Sequence, residues 1–505
     1  MKPLHAILLL PLLSFAVNIE AQTLDPTFGT SGIAQTTIGA ASAGFGITTQ
    51  ADGRILCAGG SDSSAVLVRY LANGTLDASF ASGGIATLDL GGLEVFGPMV
   101  VQPDGKIIVA GRTSSSPAGD FLIARYNTDG TLDATFGTSG VVITDIGGGF
   151  DYVADMILQP DGGIVVAGAS QSTGSSIVVA RFLINGALDN TFNGDGIFTT
   201  TFISGNYHFV TGLALQPDGA LVVGGNYVNS SATKDRYAIR LLPNGTLDNS
   251  FGTAGAVFLD VGANEDLRDV LLQNDGRILL VGHNWIGTTN WYMVITRLMP
   301  NGTLDLSYGS SGNVTSADLG GYLFTQQSCL QTDGKLVVAS NYNTAGPISN
   351  PRLWRLNTDG SFDVTFGTSG YVDGLFGDNT TSRYMFSAAQ QTDGKLLICG
   401  RSEEQITVAR LGSGQMIGIE ETASAIGGLI AYPVPVHDRL HVRSNSIGID
   451  RIEVVDLSGR TMIARSVDHT SLTETGLDMS ALPAGSYTLR AFAAGKVTNL
   501  FFIKR

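Results

Sequence analysis

The stretches LDATFGTSGVVITDI at residues 132–146 and QPDGGIVVAG at residues 159–168 decide the fold, because close variants of both recur along the chain. The Asp-Gly dipeptide of the second stretch stands in seven units, at intervals of 52, 57, 57, 57, 58 and 60 residues. Its aspartates are Asp52, Asp104, Asp161, Asp218, Asp275, Asp333 and Asp393. Self-similarity at a near-constant period of this length indicates a repeat architecture.

Each unit contains four short runs rich in valine, isoleucine and leucine, which predict four β-strands, A to D. In the second unit the runs are Phe96–Gln102, Lys106–Gly111, Phe121–Tyr126 and Val141–Ile146. The Asp104-Gly105 dipeptide between the first two is typical of a tight hairpin. Four strands in each of seven units predict an all-β chain that forms a seven-bladed β-propeller.

The order of strands at the two ends of the repeat region predicts how the ring closes. The region begins with a D strand at Gly32–Ile38 and ends with an A-B-C set at Met385–Leu411. An open solenoid is the alternative, but only a ring joins these incomplete units and removes two exposed sheet edges. We therefore expect residues 22–411 to form a propeller closed by one blade that the termini share.

Composition limits the classes of function. The 505 residues carry a formal net charge of −15, which argues against a nucleic-acid-binding surface. No mature segment reaches the ~18 apolar residues that a membrane span needs, so no transmembrane span is expected. The three cysteines, Cys57, Cys329 and Cys399, cannot all pair and lack metal-ligand spacing. We expect three buried apolar thiols, no metal site and no cofactor.

Arg and Asp residues that recur in every unit are interpreted as parts of the scaffold. An Arg ends each C strand, and an Asp stands in the turn that follows. A catalytic site needs a residue once, whereas a scaffold needs it once per blade. We expect each Arg to pair with an Asp and so to tie one blade to the next.

Both ends of the chain depart from the repeat. Residues 1–21 combine one positive charge, an apolar run and a final small residue, which is the pattern of a secretory signal peptide. Residues 412–430 are predicted to be a linker. Residues 431–505 contain several short strands that fit a small β-sandwich.

Two resemblances to known families follow. The repeat units resemble the delta-60 repeat of bacterial surface proteins over about residues 24–411, which implies a propeller but no common activity. Residues 431–505 resemble the type A C-terminal sorting domain of the type IX secretion system of Bacteroidota. The matching motifs are Tyr432-Pro433-x-Pro435, Asp456-x-x-Gly459, Leu482-x-x-Gly485-x-Tyr487 and the basic C-terminus. This resemblance implies export by the type IX machinery to the surface or the medium; an ordinary adhesive sandwich is the alternative.

The loops that precede the A strands vary among the units and are expected to surround one mouth of the central channel. Ten residues before the Asp-Gly dipeptide, five of the seven units carry an ionisable residue. We predict a polar, mostly acidic rim that could hold a cation or a cationic or sugar ligand. Solvated loop charges are the alternative. The candidate residues of the rim and the adjoining A strands are Glu94, Asp151, Asp155, His208, Glu265 and Asp269.

The long B–C loops of units four to six add aromatic candidates. They carry Tyr227, Trp285, Trp291 and Tyr342 among several asparagines. Aromatic rings beside amides suit stacking on sugars, so Trp285 and Trp291 join the candidate ligand-binding residues. Packing of these rings between blades is the alternative.

No catalytic motif stands out, because the chain has no Gly-x-Ser-x-Gly, His-Glu-x-x-His or phosphate loop. We therefore assign no catalytic residue and expect a binding or structural scaffold, secreted or held at the outer-membrane surface, that is not an enzyme. Its ligand would be an extracellular glycan or protein. A carbohydrate-binding propeller that uses the loop aromatics is one alternative. A polysaccharide-cleaving enzyme that uses paired carboxylates is another.

Overall fold

The computed structural model of the protein describes residues 23–504 in two compact units, Met1–Gly414 and Gln415–Arg505. The predicted signal peptide and most of the predicted linker fall outside the described residues. No helix in the described part is long and apolar enough to cross a membrane. Within 23–504 the description omits residues 115–118, 172–174, 202–206, 230–232, 261–263, 287–289, 318, 320, 344–348, 377–382, 413–428, 433–438, 445–449, 457–459, 467–473, 484 and 494–495.

The first unit consists, where it is described, of seven antiparallel sheets whose strands follow the A-B-C-D order. Strand β1 (Ile33–Thr36) precedes six sheets that are continuous in sequence. The first three are β2 (Ser42–Thr49), β3 (Ile55–Ser61), β4 (Ser64–Tyr70) and β5 (Ile85–Leu88); β6 (Val95–Val101), β7 (Ile107–Arg112), β8 (Phe121–Tyr126) and β9 (Val141–Thr144); and β10 (Phe150–Leu158), β11 (Ile164–Gln171), β12 (Ser176–Phe182) and β13 (Ile197–Thr200).

The fourth to sixth sheets continue the series, and in the sixth the A strand is split into two pieces. They are β14 (His208–Leu215), β15 (Leu221–Val228), β16 (Lys234–Leu241) and β17 (Ala256–Leu259); β18 (Asn264–Leu272), β19 (Ile278–Ile286), β20 (Asn290–Leu298) and β21 (Asn313–Thr315); and β22 (Tyr322–Thr325), β23 (Cys329–Leu330), β24 (Leu336–Asn343), β25 (Asn350–Leu356) and β26 (Tyr371–Asp373).

The last sheet joins the two ends of the unit. It contains β27 (Arg383–Gln390), β28 (Leu396–Ser402) and β29 (Gln405–Leu411), and β1 completes it by pairing with β29. In that pairing Ile33 lies opposite Ala409 and Thr36 opposite Ile406. The innermost strands β2, β6, β10, β14 and β18 contact one another in that order, and β27 contacts β2. The all-β propeller fold and the predicted sharing of one sheet by both ends are thus confirmed. Each sheet is called a blade below, and blade 1 is β2–β5.

The core of the propeller lies between the blades. Strands B and C are buried on both faces, which explains why their sequences are continuous apolar runs instead of alternating ones. Side chains of blade 1 such as Leu56 and Leu67 pack in one cluster with Ile107 and Leu122 of blade 2. The ring is therefore held by a series of separate interfaces, one between each pair of neighbouring blades.

The recurring Arg and Asp residues act differently from the prediction. Arg69 Nε donates to Asp77 Oδ2 at 2.9 Å, and both residues belong to blade 1, so the ion pair does not link two blades. The inter-blade contact is a second bond of the same guanidinium, from Nη1 to the carbonyl of Thr128 in blade 2. The guanidinium carbon also lies 4.3 Å from the centroid of the Phe80 ring. Other arginines that donate in this way to a carbonyl of the next blade are Arg125, Arg181, Arg240, Arg297 and Arg410.

The second unit is a β-sandwich. One sheet contains β30 (Leu429–Tyr432), β31 (Arg439–Ser444) and β34 (Glu474–Asp478), and the other contains β32 (Arg451–Asp456), β33 (Thr461–Ser466), β35 (Gly485–Ala493) and β36 (Lys496–Lys504). Leu440 and Leu477 of the first sheet share one buried cluster with Val454 and Leu489 of the second. This shared core between two sheets matches the sandwich expected from the sequence.

Candidate functional site

The predicted acidic rim is wrong in one respect: its residues are not exposed. All seven positions that lie ten residues before the Asp-Gly dipeptide are at most 5% exposed. Four of the candidate ligand-binding residues, Glu94, Asp151, His208 and Glu265, stand at these positions and are 0–1% exposed. Their side chains therefore cannot form an open charged mouth; two of them hold their own loops and two contact the neighbouring blade.

Glu94 and Asp151 accept hydrogen bonds from the loops that lead into their strands. Leu90 N–H donates to Glu94 Oε2 at 3.2 Å, and Ile146 N–H donates to Asp151 Oδ2 at 2.6 Å. Spacing in the sequence does not reveal this, because the carboxylate folds back onto its own loop. Both acids thus bind backbone N–H groups of the loops that precede their strands.

Glu265 and His208 each contact a residue of the preceding blade. Arg236 Nε donates to Glu265 Oε2 at 2.6 Å, and both side chains are fully buried. His208 Nδ1 lies 3.0 Å from the carbonyl oxygen of Ser175, and the Ser175 hydroxyl donates to the carbonyl of His208. These two reciprocal contacts link blade 3 to blade 4, so His208 has a structural role.

Asp155 and Asp269 connect A strands of neighbouring blades. Asp155 Oδ2 accepts the N–H of Leu213 at 2.8 Å, and Asp269 Oδ2 accepts the N–H of Ser328 at 2.6 Å. Burial raises the pKa of Asp155 to about 6, and burial together with the charge of Asp155 raises the pKa of Asp269 to about 7. Both carboxyls therefore titrate near neutral pH while they bind backbone groups.

Three carboxylates in blades 2 and 3 lie close enough to hold a cation. One oxygen each of Asp120, Asp145 and Asp151 falls within 4.8 Å of the other two. Burial, followed by the negative charges of its neighbours, raises the pKa of Asp151, and burial with Asp145 raises that of Asp120. Oxygen ligands of this kind suit Ca²⁺. The group was not predicted as a set, because Asp120 comes from a B–C loop and Asp145 from a D–A loop.

An aromatic cluster stands at the B–C hairpin of blade 5. Trp285 and Trp291 are direct cross-strand partners, and their rings stack with centroids 4.8 Å apart and planes 10° apart. Phe324 and Tyr322 of blade 6 extend the cluster, with ring centroids 4.9 and 5.3 Å from that of Trp291. We call Trp285, Trp291, Tyr322 and Phe324 the aromatic cluster.

The aromatic cluster is partly open to solvent and has a buried polar base. Tyr322 is 43% and Phe324 36% exposed, and the two Trp side chains are half-buried. Trp291 Nε1 is buried and has no hydrogen-bond partner among the described residues. The imidazole of His283 stacks on Trp291 at 5.6 Å, and burial holds the pKa of His283 well below its usual range. The cluster therefore presents apolar ring faces, and the buried His283 beneath them is uncharged.

The other predicted loop aromatics do not join this surface. Tyr227 is buried against Phe258, and Arg352 covers the ring of Tyr342 at 4.3 Å. Tyr322 and Phe324 were missed because they come from another blade. Their alternation with the buried Leu323 is the signal that marks them as one exposed strand face.

A cavity of about 260 Å³ opens between blades 1, 2 and 3. Its walls include Phe45, Phe96, Tyr152 and Arg112. The lining is mainly apolar, and Arg112 is its one charged member. A larger cavity of about 420 Å³ lies between turn segments of blades 5 and 6 and is lined by residues such as Ser307, Asn313 and Asp359.

Family models match segments of the repeat region and of the C-terminal unit. The family described as "Domain of unknown function (DUF5122) beta-propeller" matches residues 50–80, 102–136, 159–192, 216–251, 273–308 and 331–366. The "Secretion system C-terminal sorting domain" matches residues 430–504. Both resemblances drawn from the sequence are confirmed. A comparison with curated proteins found no match.

The chain is also similar to several solved structures at low identity. A polysaccharide lyase of the PL25 ulvan lyase family, bound to -[GlcA(1-4)Rha3S]-, is 11% identical with a TM-score of 0.46, over 75% of this chain and 96% of that one. The polysaccharide lyase Uly1 is 11% identical with a TM-score of 0.42, over 76% and 92%. A protein of unknown function from Dyadobacter fermentans DSM 18053 is 13% identical with a TM-score of 0.37, over 63% and 96%. At this similarity no activity is transferred to the present chain.

Proposed function

Because the chain consists of DUF5122 β-propeller repeats followed by a secretion system C-terminal sorting domain, we propose that it is an exported glycan-binding protein. The sorting domain directs the protein to the cell surface or the extracellular space. We expect the propeller to be the part of the protein that acts at the cell surface or in the extracellular space. We propose that its ligand is a carbohydrate held on the aromatic cluster and that the propeller has no catalytic role.

The half-buried stack of Trp285 on Trp291 supports this proposal most directly. Flat aromatic faces bind the apolar face of a pyranose ring, and Tyr322 and Phe324 lie beside the stacked pair. The buried indole N–H of Trp291 is a donor without a partner in the described structure. A hydroxyl of a bound sugar could reach it only after a local rearrangement, so we assign the affinity to the ring faces.

The contacts of the candidate acids support a role without catalysis. An acid or base catalyst must reach the substrate, but Asp155 and Asp269 use their carboxylate oxygens on backbone N–H groups of their own and the next blade. Glu265 is fully buried against Arg236. The pKa values near neutrality of Asp155 and Asp269 would suit proton transfer, and for that reason the experiment must also measure cleavage.

The test uses the whole secreted chain on a panel of immobilised neutral and acidic polysaccharides. We expect at least one polysaccharide to bind and Trp285→Ala and Trp291→Ala each to weaken that binding about tenfold. Tyr207→Ala is the matched control, because Tyr207 is 57% exposed and lies outside the aromatic cluster. Absence of binding to every polysaccharide would overturn the glycan assignment. Release of shortened sugars by the wild type, lost in Asp155→Asn, would instead establish a cleaving enzyme.

A further inference from the structure

The same pair of positions meets at each interface between neighbouring B strands. At five interfaces one blade contributes an alanine or a valine and the next contributes a valine or an isoleucine from the adjacent B-strand position, and both belong to one buried cluster. The aliphatic pairs, one from each of five interfaces, are Ala58 with Val109, Ala110 with Val166, Ala167 with Val223, Val281 with Val338, and Ala339 with Ile398. At these five interfaces both positions carry hydrocarbon side chains, and between blades 4 and 5 the two positions are Gly224 and Leu280.

At the interface between the last blade and blade 1, both positions of the pair are cysteine. Cys399 of β28 stands where the other blades have the small residue, and Cys57 of β3 stands where they have the larger one. Both side chains are fully buried in one cluster as free thiols, and Cys57 Sγ and Cys399 Cβ both lie within 4 Å of the position that a Cβ atom on Gly44 would take. Two substitutions that meet at one contact, in a chain with three cysteines, occur at the interface that closes the ring.

The backbone next to the two sulfurs leaves room for them. Gly44 of β2 lies beside both cysteines, and a Cβ atom there would be 2.4 Å from Cys57 Sγ. Cys399 Sγ also lies 3.5 Å from the carbonyl oxygen of Gly44. The third cysteine, Cys329, packs in a different cluster between blades 6 and 7. Among the described residues, Cys57 and Cys399 are therefore the two cysteines that share a buried cluster.

We propose that Cys57 and Cys399 form a disulfide bond in the exported protein and that this bond closes the ring covalently. The two thiols lose two protons and two electrons as the S–S bond forms. The electrons reduce the disulfide of a thiol oxidant in the cell envelope to two thiols. Compartments outside the cytoplasm favour such bonds, and the sorting domain directs the protein there.

The environment also determines when the bond forms. Burial, followed by the neighbouring Cys57, raises the pKa of the Cys399 thiol well above its usual range, and the thiolate is the form that attacks a disulfide. Oxidation is therefore slow once the cluster has closed over the pair. The bond forms while the last blade and blade 1 are docking, before water leaves the interface.

The decisive measurement counts thiols in protein collected from the medium or cell surface. The chain is unfolded in guanidinium with iodoacetamide and no reductant, and its mass and peptides are determined. We expect one alkylated cysteine, Cys329, and a cross-linked peptide that contains Cys57 and Cys399. Reduction before alkylation should give three alkylated cysteines. Three alkylated cysteines without reduction, or a cross-link that includes Cys329, would overturn the proposal.

A second measurement tests whether the bond holds the ring together. Prior reduction should lower the unfolding temperature of the wild type and of the control Cys329→Ala. The double variant Cys57→Val with Cys399→Ala restores the aliphatic pair of the other interfaces, so it should fold and be insensitive to reductant. Equal unfolding temperatures of oxidised and reduced wild type would contradict covalent closure of the ring. Glycan binding does not depend on this bond, so the two proposals can fail separately.

Discussion

Arg410 donates from Nε to Asp25 Oδ2 at 3.0 Å, although 385 residues separate the two in the chain. Elsewhere the same ion pair joins residues only eight apart, as in Arg69 with Asp77. In this blade the donor, Arg410, comes from the C-terminal end of the propeller sequence, and the acceptor, Asp25, comes from its N-terminal end. A contact that is local in the other blades has therefore become a link between the ends of the ring.

Removing the charge of Asp25 should destabilise the ring more than removing that of an internal counterpart. Asp25 is 8% exposed and pairs with both Arg410 and Lys395, so Asp25→Asn leaves two cations beside a neutral amide. We expect a loss of about 3 kcal/mol in the free energy of unfolding, measured with urea. Asp189→Asn is the control, since its pair with Arg181 is more exposed and should cost less. Equal losses of unfolding free energy in the two variants would show that the Arg410–Asp25 pair contributes no more than a pair of residues close in sequence.

Stability should pass through a maximum in mildly acidic solution. Burial acts to raise the pKa of Asp25 and Asp77, but hydrogen bonds from Thr27 and Ser79 and nearby cations outweigh it and lower both values to about 2. Because these pKa values are depressed in the fold, their contribution is present above pH ~4 and is lost as the pH falls toward 2.

Asp155 and Asp269 have the opposite effect, because their pKa values in the fold are raised to about 6 and about 7. The folded state binds their protons more tightly than the unfolded state. The resulting stabilisation is complete below pH ~4 and is lost as the pH rises through 6 to 7. We expect the unfolding temperature to be highest between about pH 4 and 6. In the double variant Asp155→Asn with Asp269→Asn, the fall in unfolding temperature between pH 5 and 8 should be smaller than in the wild type. An unchanged fall would contradict the pKa values assigned to Asp155 and Asp269.

Close approach of the A strands should make one glycine indispensable. A Cβ atom on Gly212 would lie 2.5 Å from the backbone nitrogen of Val270 in the next blade. Gly212→Ala should therefore force two blades apart and destabilise the propeller by about 1–3 kcal/mol, as overpacking does. Gly97→Ala is the matched control, because nothing lies within 4 Å of a Cβ there. A chemical denaturation series on both variants would decide, and similar curves would contradict the proposed contact.

Deleting residues 430–505 should separate folding from export. The propeller and the sandwich are separate compact units with their own cores, so the truncated chain should keep the unfolding temperature of the propeller. It should accumulate inside the cell envelope, because it lacks the sorting domain. Immunoblots of medium, surface and envelope fractions would show the shift. Continued appearance of the truncated protein in the medium would exclude a need for this domain.

The fold could be predicted from the sequence because each unit repeats the same local signals. Asp-Gly marks every A–B hairpin, and the incomplete units at the two ends predicted the pairing of β1 with β29. The burial of Glu94 and Asp151 could not be predicted in this way. A count of positions places each acid in a variable loop, but the direction of its side chain depends on which loop N–H groups need a partner.

The candidate site was predicted only in part. Trp285 and Trp291 stood out by composition, whereas Tyr322 and Phe324 reach them from the next blade. Contacts across a blade interface depend on the angle between sheets, which spacing within one unit does not contain. The pairing of Cys57 with Cys399 has the same origin, since it depends on a neighbour relation between the first and last B strands.

Because β1 completes the sheet of β29, the order of synthesis sets the order of assembly. A chain that emerges from its N-terminus must wait for nearly four hundred residues before its first strand meets its partner, and during that time two sheet edges stand open to aggregation. The first strand of the sandwich, β30, begins after β29 in the sequence, so the sorting domain is synthesised only after every strand of the ring has been synthesised. The pairing of β1 with β29 can therefore form before the sorting domain is complete.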